Sequence, residues 1–479
     1  MAVVGAAAVL MAEPFDHGAQ SVAGHEVLVL RSRPDLRPPA VRIERRTPGA
    51  APGSIFLAPK SGPNQAGPMI VDGDGRLVWF HPLPPHVLAY NFGVQRYRGQ
   101  RVLTWWEGRV AHGRGRGQGI VADSSYRVLA RVRATGGQQA DLHEFQLTRR
   151  GTAFVTAFHP VRRSLAAIGG PARATVLESV IQEIDVRSGR LVFEWRSLDH
   201  VGLGESYKEL PKRRGAPYDY FHLNSIHEER DGSLLISARH TNAIYEVDRR
   251  SGGVRWRIGG KRSDYRMGRG ARFVAQHDAR RMPDGTISLF DNGAPPDAGR
   301  ESRVLVLRID QAGRSVRLVR SSTHDEPVYS NSQGNAQPLP GGNLFASWGG
   351  RSPFFSELGR DGRPVLEARF ASSRTATYRA YRFPWTGRPA DRPAVAVVPA
   401  PGPGGDRLTV HASWNGATEV ARWQVLAGPG PDALTPLASA ARRGFETAMP
   451  VRARGRYLAV RALDRSGAAL GSSRAVRRP

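Results

Sequence analysis

The sequence predicts an all-β protein: a six-bladed β-propeller followed by a small C-terminal β-sandwich of fibronectin or immunoglobulin type. Two repeating patterns predict the propeller. Five segments align without gaps on a glycine: NFGVQRYRGQRVL (91–103), HEFQLTRRGTAFV (143–155), NSIHEERDGSLLI (224–236), HDARRMPDGTISL (277–289) and QGNAQPLPGGNLF (333–345). Each reads as strand, tight turn and a second strand rich in β-branched and aromatic residues. Between them a second strand–turn–strand pattern recurs, beginning at residues 68, 119, 181, 244, 304 and 354. The anchoring glycines Gly99, Gly151, Gly232, Gly285 and Gly341 are mostly 52 to 56 residues apart. Four strands at that period make one propeller blade. The sandwich is predicted by alternating apolar and polar residues after position 404, with Trp414, Trp423 and Tyr457 as candidate core.

Taken in order, residues 1–27 form an apolar N-terminal segment, a candidate signal or membrane-anchor remnant without a basic n-region. Residues 28–385 form the propeller, with GSIFLAPK (53–60) as the expected sixth inner hairpin and 376–385 as the place for a seventh blade. One step of 81 residues marks insertions around 159–179 and 199–220, and the stretch 196–220 reads as a lid or specificity loop. A Pro/Gly-rich linker (386–404) and the sandwich (405–479) complete the chain. The sandwich is of a type that often contacts another protein or domain.

Composition excludes several classes. Of 479 residues none is cysteine, so disulfides and thiolate metal sites are ruled out. The formal charge of +27 comes almost wholly from arginine, with lysine only at positions 60, 208, 212 and 261. The arginines are spread evenly, with no basic helix and no aromatic RNA-binding motif, so nucleic acid is not an expected partner.

The innermost strand of each blade lines the central channel, so aligned positions converge at one level. Eight residues before the glycine stand Asn91, His143, Asn224, His277 and Gln333, all capable of hydrogen bonding. Seven residues after it stand Trp106, Phe158, Arg239, Asn292 and Trp348. His222 lies two residues before Asn224 and shares its side of the strand. The expected mouth is a polar ring with Arg239 as fixed cation and Trp106, Phe158 and Trp348 as aromatic walls. Each histidine alone reads equally as a structural donor, and each aromatic as core; their coincidence at one level argues for a site. Three histidines suit zinc, but no carboxylate falls in the aligned ring and Arg239 repels a cation. No metal site and no cofactor is therefore expected. Arginine favours an oxyanion, because its planar fork matches carboxylate, phosphate or sulfate. His227 reads as structural, on the turn side, and His240 is left unassigned.

The strings DYFHLNSIHEERDGSLLISARHTNAIYEVDRRSGGVRWRIGGK (219–261), QHDARRMPDGTISLFDNG (276–293) and GNAQPLPGGNLFASWGGRSPFFSELGRDG (334–362) resemble the bacterial arylsulfotransferase family, and its actinobacterial branch in particular. The resemblance runs over roughly residues 28–385. It implies transfer of a sulfuryl group from an aryl sulfate to a phenol, without a nucleotide sulfate, by a ping-pong route through a sulfohistidine on the exported side of the membrane. It assigns the His-x-Asn motif to His222 and Asn224, the following arginine to Arg239, the nucleophile to His277 and the remaining channel histidine to His143. Small-molecule aryl sulfates and phenols are the implied partners. A non-catalytic extracellular propeller binding an anionic or aromatic ligand is the alternative.

Overall fold

The computed structural model describes residues 19–22, 25–62, 64–293, 300–350, 354–401 and 405–479. The expected signal or anchor remnant lies largely outside the described residues. Among those residues every regular element is a strand except three single-turn 3₁₀ segments, and no helix is long and apolar enough to cross a membrane.

Six sheets of four or five strands carry most of the chain, antiparallel throughout except for the two-residue edge strand Arg266–Met267, which pairs parallel with Ser315–Thr323. Their inner strands touch in a closed circuit, each sheet meeting the next and the last meeting the first. This is the arrangement of a β-propeller. Strands in the middle of a sheet are covered on both faces by neighbouring sheets. They therefore read as nearly continuous apolar runs, such as the fully buried LLISA of Leu234–Ala238. Asparagines tie adjacent sheets at the inner edge: Asn91 donates to Leu142 O at 2.8 Å, Asn224 to Gln276 O at 2.7 Å and Asn335 to Ala380 O at 2.8 Å.

Closure corrects one expectation. Ser54–Leu57, inside GSIFLAPK, is the second strand of its sheet and not the innermost. The inner strand is Tyr381–Phe383, with Tyr381 opposite Phe56 and Phe383 opposite Ser54. The stretch 376–385 thus completes a sheet begun near the N-terminus and adds none. In the same way Val41–Arg46 forms the outer strand of the sheet whose other strands lie between Asn335 and Phe370. The ring is clasped by both ends of its own chain, a non-local pairing that no local pattern announces.

Beyond the ring a three-stranded and a five-stranded sheet share one core around Leu408, Val410, Trp423, Val425, Met449 and Val460. Trp414 packs at its margin, whereas Tyr457 lies outside it. The expected linker is partly strand: Ala394–Pro399 pairs with Arg407–Ser413, because its AVAVVP run has apolar residues to bury. This unit caps the edge of the strand Leu77–Phe80. Asn415 exchanges two hydrogen bonds with the Phe80 backbone, and Gly416 N donates to Val78 O. An otherwise open strand edge is thereby covered.

Candidate active site

The inner strands all begin at one end of the channel, and four of them break register there. The irregularities fall between Tyr90 and Gly93, Asp141 and Phe145, Leu223 and Ser225, and His277 and Arg280. Bulges re-aim side chains. At the same end Asn91, His222, Asp278 and Gln333 have φ values of 55°, 57°, 57° and 72°, a costly backbone state for residues with a Cβ.

Four histidines gather at this level. The His143 and His222 ring centroids are 4.8 Å apart, and those of His222 and His240 are 4.7 Å apart. His143 Nδ1 is held by Asp141 Oδ2, and His222 Nδ1 by Asp219 Oδ2 at 2.6 Å. Each ring is thereby anchored through Nδ1. His240 donates Nδ1–H to Asp219 O at 2.6 Å and accepts from Arg239 Nη1 at 2.8 Å. His277 donates Nδ1–H to Asn292 Oδ1 at 2.7 Å, with Ala275 O at 3.0 Å. Its Nε2 is therefore the lone-pair nitrogen, and it accepts a long 3.2 Å bond from Gln333 N–H.

Burial, then the positive charge of Arg239, holds His277 well below the ordinary imidazole range. Burial, then His143 and Arg239, does the same for His222. Burial followed by His222 acts likewise on His240. All three rings are neutral at neutral pH. Burial pushes the Asp219 carboxyl up. It works the same way on Asp141, but the charge and hydrogen bond of His143 outweigh it and hold that carboxyl low.

Arg239 is half-buried. Its Nη2 donates to Asn331 O at 2.7 Å, its Nε has no hydrogen-bond partner, and no carboxylate among the described residues lies within salt-bridge distance. Phe158, also half-buried, faces His143 at 6.1 Å and His222 at 5.6 Å between ring centroids. One residue further along the inner strands, Glu144 and Asp278 meet the guanidinium groups of Arg280 and Arg379 in a buried ionic cluster.

Several expected site residues are placed elsewhere. Trp106 is fully buried, with its indole N–H on Ala140 O at 3.0 Å. A Cβ at Gly115 or Gly117 would come within 2.5 or 2.6 Å of its ring, so those glycines open the slot that the indole fills. Trp348 is likewise fully buried and donates to Ser356 Oγ at 2.8 Å. Both are core and not walls. Asn91 and Asn224 use their amide N–H groups as ties between sheets and are not turned to a ligand. Asn292 serves the imidazole: besides accepting from His277, it donates to Ser330 O and Gln333 O, each at 3.0 Å.

Other residues at the site have no signal in the alignment. Asp141 and Asp219 bring carboxylates to the histidines, contrary to the ring read from sequence. Asp219 arrives at the end of the 196–220 insertion. That loop is tied to the rim, with Tyr207 N donating to His240 O at 2.8 Å and Tyr218 N to Thr175 O at 2.8 Å. Tyr378, nearly fully buried, stands 6.1 Å from His143 and 6.5 Å from His277 between centroids. Lys60 reaches Gln333 Oε1. His240 belongs to the cluster, whereas His227 sits on the strand Leu223–Glu228 away from it.

Asp219, His222 and His240 bring ligand-type atoms within 4.8 Å of one another. The Nδ1 atoms of His222 and His240 are engaged by the Asp219 carboxylate and backbone carbonyl, and Arg239 donates to Nε2 of His240, setting a fixed cation at the cluster. The arrangement suits an anion and not a cation.

The family described as arylsulfotransferase (ASST) matches this chain over residues 93–371, more than half its length. The chain belongs to the arylsulfotransferase family. Curated proteins give no match. Among solved structures, a catalytically inactive virginiamycin B lyase from Staphylococcus aureus, solved with quinupristin, is similar at 11% identity. It covers 72% of this arylsulfotransferase-family chain and 99% of its own, with a TM-score of 0.37. A protein from Lactobacillus plantarum is also 11% identical, covering 84% and 100% at a TM-score of 0.37. An auxiliary nutrient binding protein from Bacteroides ovatus is 12% identical, covering 72% of each chain at 0.33. Identities and scores this low say nothing about activity.

Proposed function

We propose that this member of the arylsulfotransferase family transfers a sulfuryl group from an aryl sulfate to a phenol by a ping-pong mechanism through a sulfohistidine at His277. The observation that carries this reading is the state of that ring: buried, neutral and locked by Asn292 in the tautomer that leaves Nε2 basic, near an arginine with no carboxylate within salt-bridge distance among the described residues. A neutral imidazole attacks sulfur without first losing a proton.

In the first half-reaction the His277 Nε2 lone pair forms an N–S bond as the S–O bond to the aryl group breaks. The phenolate takes a proton as it leaves. The 3.2 Å bond from Gln333 N–H, at the long limit for such bonds, is released when Nε2 turns to sulfur. Arg239 faces the sulfonate oxygens, where charge spreads in a loose transition state, and Asp219 fixes the neutral His222 ring near it. His143, anchored through Nδ1, exchanges the proton with the phenol oxygen from Nε2. Phe158 offers a face to the aryl ring. In the second half-reaction an acceptor phenol gives its proton to His143 and attacks sulfur, restoring neutral His277. The reaction is proposed to run outside the cytoplasm, as the family resemblance implies.

The test is a donor–acceptor assay with a chromogenic aryl sulfate, run on the wild type and on His277→Ala and His222→Ala. Loss of transfer in His277→Ala, with the fold intact, supports the assignment. Full transfer in that variant overturns it.

A further inference from the structure

Lys60 is a buried ammonium without a counter-ion. Its residue is 9% exposed, and among the described residues its Nζ donates to Gln333 Oε1 and to no other hydrogen-bond partner. No carboxylate among the described residues lies within salt-bridge distance of it. The Tyr90 ring centroid is 4.8 Å from Nζ and that of Tyr378 is 5.9 Å away. The backbone is fixed as well, since Lys60 N–H donates to Ala376 O at 3.0 Å and Lys60 O accepts from Ala376 N at 3.3 Å. An ammonium has three N–H donors, so two here are unspent. Two ring faces offset only part of the lost hydration, and burying an unpaired charge is strongly unfavourable. A structure that keeps such a group has a use for an anion.

Its position says which anion. Gln333, which holds Lys60, also donates its backbone N–H to His277 Nε2. Arg239, which also has no carboxylate within salt-bridge distance among the described residues, donates to Asn331 O two residues earlier. Two cations thus bond to one short segment, and the Tyr378 ring centroid lies 5.9 Å from Lys60 Nζ and 6.1 and 6.5 Å from those of His143 and His277. A single small molecule can engage both cations when it carries two anionic groups on an aromatic ring.

Building on the sulfuryl-transfer reading, we propose that Lys60, held by Gln333 between Tyr90 and Tyr378, is a second anion-binding subsite that takes a carboxylate or sulfonate on the ring of the aromatic substrate. The preferred substrates are then phenols, and their sulfates, that bear a further anionic substituent. Burial lowers the Lys60 ammonium to about 7, so the subsite is charged below neutral pH and loses its charge as pH rises through that value. The groups facing it are Tyr90, Tyr378 and Gln333; burial pushes both phenols up, so neither competes as an anion.

Binding of aryl sulfonates tests this without any turnover, because a C–S bond is not transferred. Calorimetry near pH 6 is expected to show 4-sulfobenzoate binding the wild type at least about tenfold tighter than benzenesulfonate, the margin of one hydrogen bond to a charged group. In Lys60→Met, a neutral side chain of similar length, the two ligands bind alike. Lys60→Gln serves as a second variant, and in the wild type itself the preference shrinks well above neutral pH. Equal binding of both ligands by the wild type, or a preference that survives in both variants, overturns the proposal. So does an equal fall in turnover for singly and doubly charged donors with no change in their ratio, which would place Lys60 at the reacting oxygen. A binding preference in a protein that transfers no sulfuryl group would sink the sulfuryl-transfer reading and leave the subsite standing.

Discussion

Asn292→Asp tests the neutral-nucleophile chemistry with a change of one atom. Asn292 is 1% exposed, and its Oδ1 accepts from His277 Nδ1 at 2.7 Å. Aspartate keeps the shape and the acceptor but sets a negative charge against the ring. An opposite charge at such range raises an imidazole by about 1–3 pKa units, or about 1.4–4 kcal/mol in favour of imidazolium. In the wild type, burial and Arg239 hold His277 well below its ordinary value, so the reactive neutral form prevails at neutral pH. In the variant, protonation of Nε2 removes the nucleophilic lone pair. The acid limb of the pH–rate profile is expected to move up by about 1–3 pH units, with transfer at a fixed pH on that limb falling about tenfold to a thousandfold. The alkaline plateau is largely retained. Aspartate also lacks the amide donors to Ser330 O and Gln333 O, so unfolding becomes easier by about 1–3 kcal/mol. Initial rates of transfer from a chromogenic aryl sulfate, measured across pH alongside thermal unfolding, read both effects. A folded variant whose acid limb has not moved would refute the reasoning.

Asp219→Asn takes the charge away from His222 Nδ1, and transfer is expected to fall about tenfold to a hundredfold with little change in melting temperature, since the amide can still hydrogen-bond. Trp106→Ala is expected to destabilise the fold by about 3–5 kcal/mol while the folded fraction keeps its KM for aryl sulfates; a raised KM at full stability would return Trp106 to the site. Lys60 is depressed from 10.5 to about 7 in the folded chain, so the unfolded chain binds more protons between those values and wild-type stability rises with pH across that window. Denaturant titrations near pH 7 and pH 10 are expected to show a rise on the order of a few kcal/mol that Lys60→Met abolishes.

The repeat was legible because every inner hairpin turns on a glycine and alternates with period two, and that local signal carried the all-β ring and the level at which His143, His222, Arg239 and His277 meet. What the gap-free alignment could not carry was orientation. Trp106 turns into a slot that Gly115 and Gly117 leave open and Trp348 into the core against Ser356, while Phe158 and Arg239 stay half-buried. Asn224 and Asn292 were legible as polar but not as spent: one ties two sheets and the other orients His277. Asp219 and Lys60 lie outside the repeat, one at the end of an insertion and the other beyond a strand paired with the far end of the chain. Tyr378 lies just before the strand that closes the ring. Only tertiary structure brings these three to the histidines.

The central claim is a covalent sulfohistidine at one named position. The most direct measurement is mass spectrometry of peptides from protein incubated with an aryl sulfate, without acceptor, and quenched at mildly alkaline pH. A gain of about 80 Da, one sulfuryl group, on the peptide carrying His277 is the expected result, lost on adding a phenol. The same gain on the peptide carrying His143 or His222, or no adduct while transfer proceeds, would contradict it.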